Sequence, residues 1–376
     1  MSKGVWKVRF VDYPTQFQKM GNEIMGVIRN VLAQGDLILR QQLREFEEHL
    51  AHFIGAKYAV GVSNGTDALH LALRAVGIGR EHEVITVSHT FVATAAAVHH
   101  AGATPVLIDI DDDHNMNVDL VEAAITSRTK AIMPVHLNGR LCDMERLTHI
   151  AKKHKLLVIE DAAQALGASF QGTKAGAFGV ASCFSFYPAK LLGGFGDGGA
   201  VVTNSKEIAD RIRRLRHHGL TEEGEVSCWA FNCRLDNLQA AILDLKLVQL
   251  PSWITRRREI ALLYQKRLSG IAQLRLPPPP TDGPFFDVYQ NYEIEAENRD
   301  HLVAHLKESG VEVLVQFGGN AVHQFKALGL AHFVLPRTEL MTKRALMLPM
   351  HPELSNDQVE YVARTIEAFY SDQKAG

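Results

Sequence analysis

The chain has 376 residues, 46% of them hydrophobic and 22% charged, with a formal net charge of -2. That balance is ordinary for a globular enzyme and excludes a strongly charged surface for nucleic acid or membrane. No apolar run reaches the roughly 18 residues of a membrane span and the first residues lack the apolar core of a signal peptide, so a cytoplasmic protein of two domains is expected.

Residues 16 to 34 have helical spacing and stop at Gly35. Leu39, Leu43, Phe46, Leu50 and Phe53 recur at three- and four-residue steps, which predicts an amphipathic helix over 39 to 53. Then short apolar strands alternate with helices: YAVGVS, ALHLALRAVG, EVITVS, FVATAAAVHHAG, TPVLIDI, VDLVEAAI, KAIMPVH, MERLTHIAKKH and LLVIED. Alternation of this kind predicts a mostly parallel sheet with helices on both faces. CFSFY, GGAVVT, the basic helix KEIADRIRRLRHHG, an irregular segment and a long helical stretch from 235 to 270 follow. After the break at LPPPP, YQNYEIEA, DHLVAHLKESG, VEVLVQF and a final helix read as a smaller α+β unit. The expected division is 1–248 and 249–376. Cys142, Cys183, Cys228 and Cys233 have neither zinc nor redox spacing, the 18 histidines are scattered, and no metal site is expected.

Four groups fall where strands lead into helices, the place where open α/β sheets bind ligands. SNGTDA offers the amides of Gly65 and Thr66 at a helix start, an anion cup. Asp161 ends a strongly apolar strand, with Gln164 three residues on and Glu160 pointing to the other side. Lys190 stands among aromatic and glycine residues, five after Ser185, where burial would make its amine nucleophilic. Phe91 could lie against a flat ring. Each has a plainer reading alone: a capped helix, a paired charge, a solvated lysine, a core aromatic. One cofactor accounts for all four, because pyridoxal phosphate needs an amine, an anion cup, a carboxylate and flat packing.

With these motifs in this order, and with EFEEHLAHFIGAKYAVGVSNGTDALHLAL, MPVHLNGRLCDM, SFYPAKLLGGFGDGGAVVT and FNCRLDNLQAAIL, the sequence resembles the DegT/DnrJ/EryC1/StrS family of nucleotide-sugar aminotransferases over nearly its whole length. The resemblance implies an α/β fold of type I, a mostly parallel seven-stranded sheet flanked by helices with a smaller α+β C-terminal domain. It implies pyridoxal 5'-phosphate held covalently on Lys190, with pyridoxamine phosphate as the alternate form, and Lys190 as acid/base. Asp161 would pair with the pyridine nitrogen, Gln164 and Phe91 would flank the ring, and Gly65, Thr66 and Ser185 would bind the phosphate. Asn232 would reach the same phosphate in a neighbouring subunit of a homodimer, and Arg234 would face the substrate diphosphate. His217, Gln316 and His323 are further candidate substrate contacts.

The implied reaction moves an amino group from L-glutamate, leaving 2-oxoglutarate, to a keto group of a dTDP- or UDP-linked sugar. The product would be an amino sugar for a cell-surface polysaccharide such as lipopolysaccharide or for a glycosylated natural product. PVHL is similar to members that aminate C3; a 4-keto substrate is the alternative, and a non-catalytic regulatory homologue the alternative of another class. Gly139-Arg140, RHHG, Ala189 and VQFGGNAVHQF depart from the common pattern, which leaves the sugar open.

Overall fold

The structure is a computed structural model that describes residues 6–372. Helix α1 (Tyr13–Gln34) starts where Asp12 accepts from the Thr15 amide, carries Pro14 in its first turn, and stops at Gly35 with φ 71°. Helix α2 (Gln41–Ile54) buries Leu43, Phe46, Leu50 and Ile54 along one stripe and ends at Gly55. Then come β1 (Tyr58–Val62), α3 (Gly65–Ala75), β2 (Glu83–Val87), α4 (Val92–His100), β3 (Thr104–Ile108), β4 (Thr129–Ile132), α5 (Met144–His154) and β5 (Leu157–Asp161). A hairpin of β6 (Ser169–Phe170) and β7 (Thr173–Lys174) precedes β8 (Ala181–Ser185), β9 (Gly199–Thr203) and α6 (Lys206–Leu215).

The central sheet has the order β1-β9-β8-β5-β4-β2-β3. Its pairs are parallel except at β9, which runs antiparallel to both neighbours. Alternate strand residues feed two cores. Ala59, Ile85, Ile132 and Val158 join the cluster under α2, α5 and the helix of residues 237–247, while Val60, Val84, Ala131 and Ile159 join the cluster under α3, α4 and α6. Strands covered on both faces carry no polar alternation, which is why they read as continuous apolar runs.

Beyond the sheet lie α7 (Asn237–Leu247), α8 (Leu250–Leu268), β10 (Leu274–Arg275), β11 (Phe285–Phe286), β12 (Tyr292–Ala296), α9 (Arg299–Glu308), α10 (Pro336–Arg344), β13 (Ala345–Leu348) and α11 (Asn356–Asp372). β10, β12 and β13 form a small antiparallel sheet, and β11 adds to the β6–β7 hairpin. No helix among the described residues is long and apolar enough to cross a membrane.

Three expectations change. The helix expected in VDLVEAAI is two short 3-10 turns, Val118–Leu120 and Glu122–Ala124. Asn117 accepts from the Asp119 amide at 3.0 Å and Val121 closes back on Val118, so the tighter turn replaces an α start. The stretch 235 to 270 breaks at Val248 and Gln249, because Pro251 has no N–H to continue the ladder of α7. VEVLVQF makes only isolated bridges, Val311 with Val8 and Leu314 with Met347.

Val8 belongs to the third core cluster, whose other members run from Ile260 to Tyr370. We propose the division near residue 248 on this basis, with the segment around Val8 packing on the smaller unit rather than the larger.

Candidate active site

The carboxyl ends of β1, β5 and β8 open on a cavity of about 540 Å³. Lys190, Asp161, Gln164, Ser185 and Phe91 line it, as do Gly65, Thr66 and Gln316.

Helix α3 begins directly after β1. Asn64 caps it, its Oδ1 accepting from the Asp67 amide at 2.8 Å. The Gly65 and Thr66 amides remain unspent at the cavity, where the helix dipole favours an anion. The turn reaches across the sheet to Ser185: a Cβ on Gly65 would lie 2.8 Å from the Ser185 Cβ. Gly199 is equally necessary, since a Cβ there would lie 2.4 Å from the Asn64 carbonyl carbon. Two glycines therefore bring a helix N-terminus and a serine hydroxyl from distant sequence into one cradle.

Asp161 is 5% exposed. Thr94 donates to its Oδ2 at 2.7 Å and the Ala163 amide to its Oδ1 at 3.3 Å. Burial pushes its pKa above the ordinary carboxylate value, against those hydrogen bonds and the charge of Lys190. A carboxylate so placed is short of a cation. Glu160 points to the other face of β5, where His136, Ser182 and the amides of Gly176, Phe178 and Gly179 hold it.

Lys190 rides a tight loop between β8 and β9. Its amide bonds the Tyr187 carbonyl at 2.8 Å, and Gly194 returns to the Phe186 carbonyl at 2.8 Å. The turn needs Gly193, whose Cβ would lie 2.1 Å from the Pro188 carbonyl oxygen. Gln290 brackets the lysine: its Oε1 accepts from the Leu191 amide at 2.7 Å and its Nε2 donates to the Ala189 carbonyl at 2.8 Å. On the far side Gln239 makes a two-way pair with the Phe195 backbone, and the buried Lys246 ammonium bonds the Gly193 carbonyl. These clamps give the LLGG stretch its purpose: they hold one amine in place. Burial lowers the Lys190 pKa to about 8, with Asp161 opposing the shift. An amine near that value is neutral often enough at physiological pH to act as a nucleophile and proton carrier.

An amine beside a buried, under-neutralised carboxylate and an empty-handed helix start suits a ligand carrying a carbonyl, a basic ring nitrogen and an anion. Gln316, 6% exposed, leaves its Oε1 without a hydrogen bond. The sequence profile of the DegT/DnrJ/EryC1/StrS aminotransferase family matches residues 18–367. The chain belongs to that family.

The aminotransferase is 40% identical to a dTDP-3-amino-3,4,6-trideoxy-alpha-D-glucose transaminase of Micromonospora megalomicea subsp. nigra, with 98% of each chain covered. It is 42% identical to a protein of Geobacillus stearothermophilus named as a pleiotropic regulatory protein, covering 96% of this chain and 98% of that one. Its structure matches that of S. venezuelae DesV in complex with a ketimine intermediate, with a TM-score of 0.93 and 39% identity over 96% of this chain and 98% of that one. The fold is that of these aminotransferases.

The other sequence candidates stand outside the cavity of the single aminotransferase chain. Asn232 is exposed and bridges to His217, whose Nδ1 lies 3.2 Å from the Arg234 guanidinium. Burial, then the Arg234 charge, lowers the His217 pKa. His323 is 4% exposed behind the wall, with the Ser88 hydroxyl at 2.6 Å from its Nδ1 and Glu339 at 3.4 Å from its Nε2. Its position is that of a strut between the smaller unit and β2. Sequence reasoning passed over Thr94 and Asn291, which bond Asp161 and Gln164 directly, over Gln290, which holds the backbone on either side of Lys190, and over Tyr187, which lines the cavity 54% exposed. Thr94 was the most findable, three residues beyond Phe91 on the same helix. Gln290 and Asn291 arrive from the smaller unit and carry no local signal.

Proposed function

We propose that this aminotransferase uses pyridoxal phosphate to move an amino group from L-glutamate to the C3 keto group of a dTDP- or UDP-linked sugar. The convergence of Lys190 and Asp161 in one cavity with the α3 N-terminus carries this reading. The names of relatives that transaminate 3-keto positions support the substrate class. When bound, the cofactor supplies an aldehyde that captures amines and a ring that draws electron density from the adjoining carbon.

The chain supplies the rest. The α3 amides, the Thr66 hydroxyl and the Ser185 hydroxyl hold the phosphate. Asp161 receives the protonated ring nitrogen as the cation it lacks, while Thr94 fixes the carboxylate. The Lys190 Nζ anchors the cofactor and then moves protons at the reacting carbons. Gln164 and Phe91 bound the ring. Gly65→Ala is expected to weaken pyridoxal phosphate binding about ten- to a hundredfold, since a forced methyl costs roughly 1–3 kcal/mol. Titration of apoenzyme followed by absorbance checks it.

Asn232 and Arg234 would act in the cavity of a second copy, as a bidentate guanidinium suits a diphosphate. Mixing Lys190→Ala with Arg234→Ala copies should then restore activity that neither homodimer has. Activity that stays at the level of the parents would count against a shared site. The function itself is tested by turnover with dTDP- and UDP-linked 3-keto and 4-keto sugars, followed by mass spectrometry. A visible absorption band should bleach with glutamate and return with the accepted sugar. A non-catalytic role, favoured by the name of the Geobacillus relative, predicts no turnover with any of them.

A further inference from the structure

Glu293 on β12 is 1% exposed, yet it belongs to the smaller unit and meets residues of the larger sheet. Its Oε2 accepts from Asn138 Nδ2 at 2.8 Å, His114 Nδ1 at 3.0 Å and His89 Nε2 at 3.3 Å. The other ring nitrogen of His114 meets Glu295 at 3.0 Å, and Glu295 is paired with Arg337. Both His114 nitrogens face carboxylates, an arrangement that favours the imidazolium. Burial opposes that charge, but Glu293 and Glu295 outweigh it and raise its pKa to about 9.

His89, His114 and Glu293 have the composition of a metal centre. Their hydrogen bonds make them an ion cluster here: both His114 nitrogens are taken up and the Glu293 Oε2 has three donors, while the Glu293 Oε1 and the His89 Nδ1 have no hydrogen-bond partner.

The cluster leads to the cavity. Asn138 sits in the left-handed region, φ 57° and ψ 8°, a conformation asparagine tolerates better than most residues. Its main-chain amide donates to Gln164 Oε1 at 2.8 Å, and its Oδ1 accepts from Asn291 Nδ2 at 2.9 Å. Asn291 Nδ2 also lies 3.2 Å from Gln164 Oε1. Both partners of that oxygen are donors, so the Gln164 amide has one orientation, with its NH2 group left for the cavity. His89, His114, Asn138 and Gln164 follow β2, β3, β4 and β5 in turn. One strand of the smaller unit thus reads the ends of four neighbouring strands of the sheet.

We propose that Asn138 is a positioning residue for the Gln164 carboxamide, and that Glu293 fixes Asn138 so that seating of the smaller unit sets the geometry of the cofactor face. The inference rests on the cavity being the cofactor site. It assigns Gln164 the contact and Asn138 and Glu293 an action through it.

The test is a double-mutant cycle in the holoenzyme. Asn138→Gly keeps the left-handed backbone and the amide to Gln164 but removes both side-chain links. It is expected to lower kcat about tenfold, shift the absorption maximum of the bound cofactor and leave the thermal midpoint nearly unchanged. In a Gln164→Ala background the same substitution should do almost nothing. Glu293→Gln should shift the spectrum in the same direction as Asn138→Gly. Additive losses in the cycle, or a wild-type spectrum and kcat in Asn138→Gly, overturn the proposal even if Glu293→Gln fails to fold. One equivalent of tightly bound divalent metal in the purified wild type would overturn the ion-cluster assignment. A wild type with no visible band and no turnover would instead strike at the function proposed above.

Discussion

Lys190→Ala is expected to reduce amino transfer at least about a thousandfold, because on the proposed function one substitution would remove both the covalent anchor and the proton carrier. The fold should survive. Lys190 lines the cavity half-buried, and the loop that carries it is held through backbone groups by Gln290, Gln239 and Lys246. Its pKa is depressed by burial, so the folded apoenzyme holds the charged amine unfavourably at neutral pH. Removing that amine should leave the apoenzyme melting temperature unchanged or slightly higher. Turnover with glutamate and a keto sugar, together with melting curves of both apoenzymes, measures the two effects. A variant with wild-type turnover would dismiss Lys190 as the reacting amine.

Asp161→Asn should split stability from function in opposite directions. The Asp161 pKa is raised in the folded protein, so its charged form is penalised above the ordinary carboxylate value of 3.8. Removing the charge should therefore stabilise the apoenzyme at neutral pH, and the asparagine keeps an oxygen for the Thr94 hydroxyl. With pyridoxal phosphate bound the sign reverses, since a protonated ring nitrogen loses its counter-ion. A loss of about a hundred- to a thousandfold in kcat is expected, the scale of removing one preorganised electrostatic partner. Denaturant curves with and without cofactor, alongside kcat, check both signs. Equal destabilisation of apo and holo forms would mean that Asp161 is a structural carboxylate only.

How much of this was legible in the sequence follows from where each signal resides. Alternating apolar strands and helices give away a sheet buried on both faces, and YAVGVS, EVITVS and LLVIED read correctly as its strands. Lys190, Asp161 and the SNGTDA turn, which line one cavity, could be picked out as candidates because residue chemistry and local structure coincide at or just after strands. YEIEA carried no such signal. Its two glutamates sit at alternate positions of the strand, and both are buried against His114. Nothing local announces a carboxylate whose partner lies far away in the chain. His323 shows the converse: it lies buried between Ser88 and Glu339, and its letter alone gives no sign of that position.

The cradle formed by Gly65, Ser185 and Gly199 has a consequence for how the molecule comes into being. Its two walls meet only after β1 has paired with β9 and β9 with β8, and β1 lies far from both in the chain. Closing so long a loop is slow, and local helices form well before it. The anion seat is therefore absent until that long-range pairing has formed. An anion bound in that cradle would then report a chain whose β1, β9 and β8 have already paired.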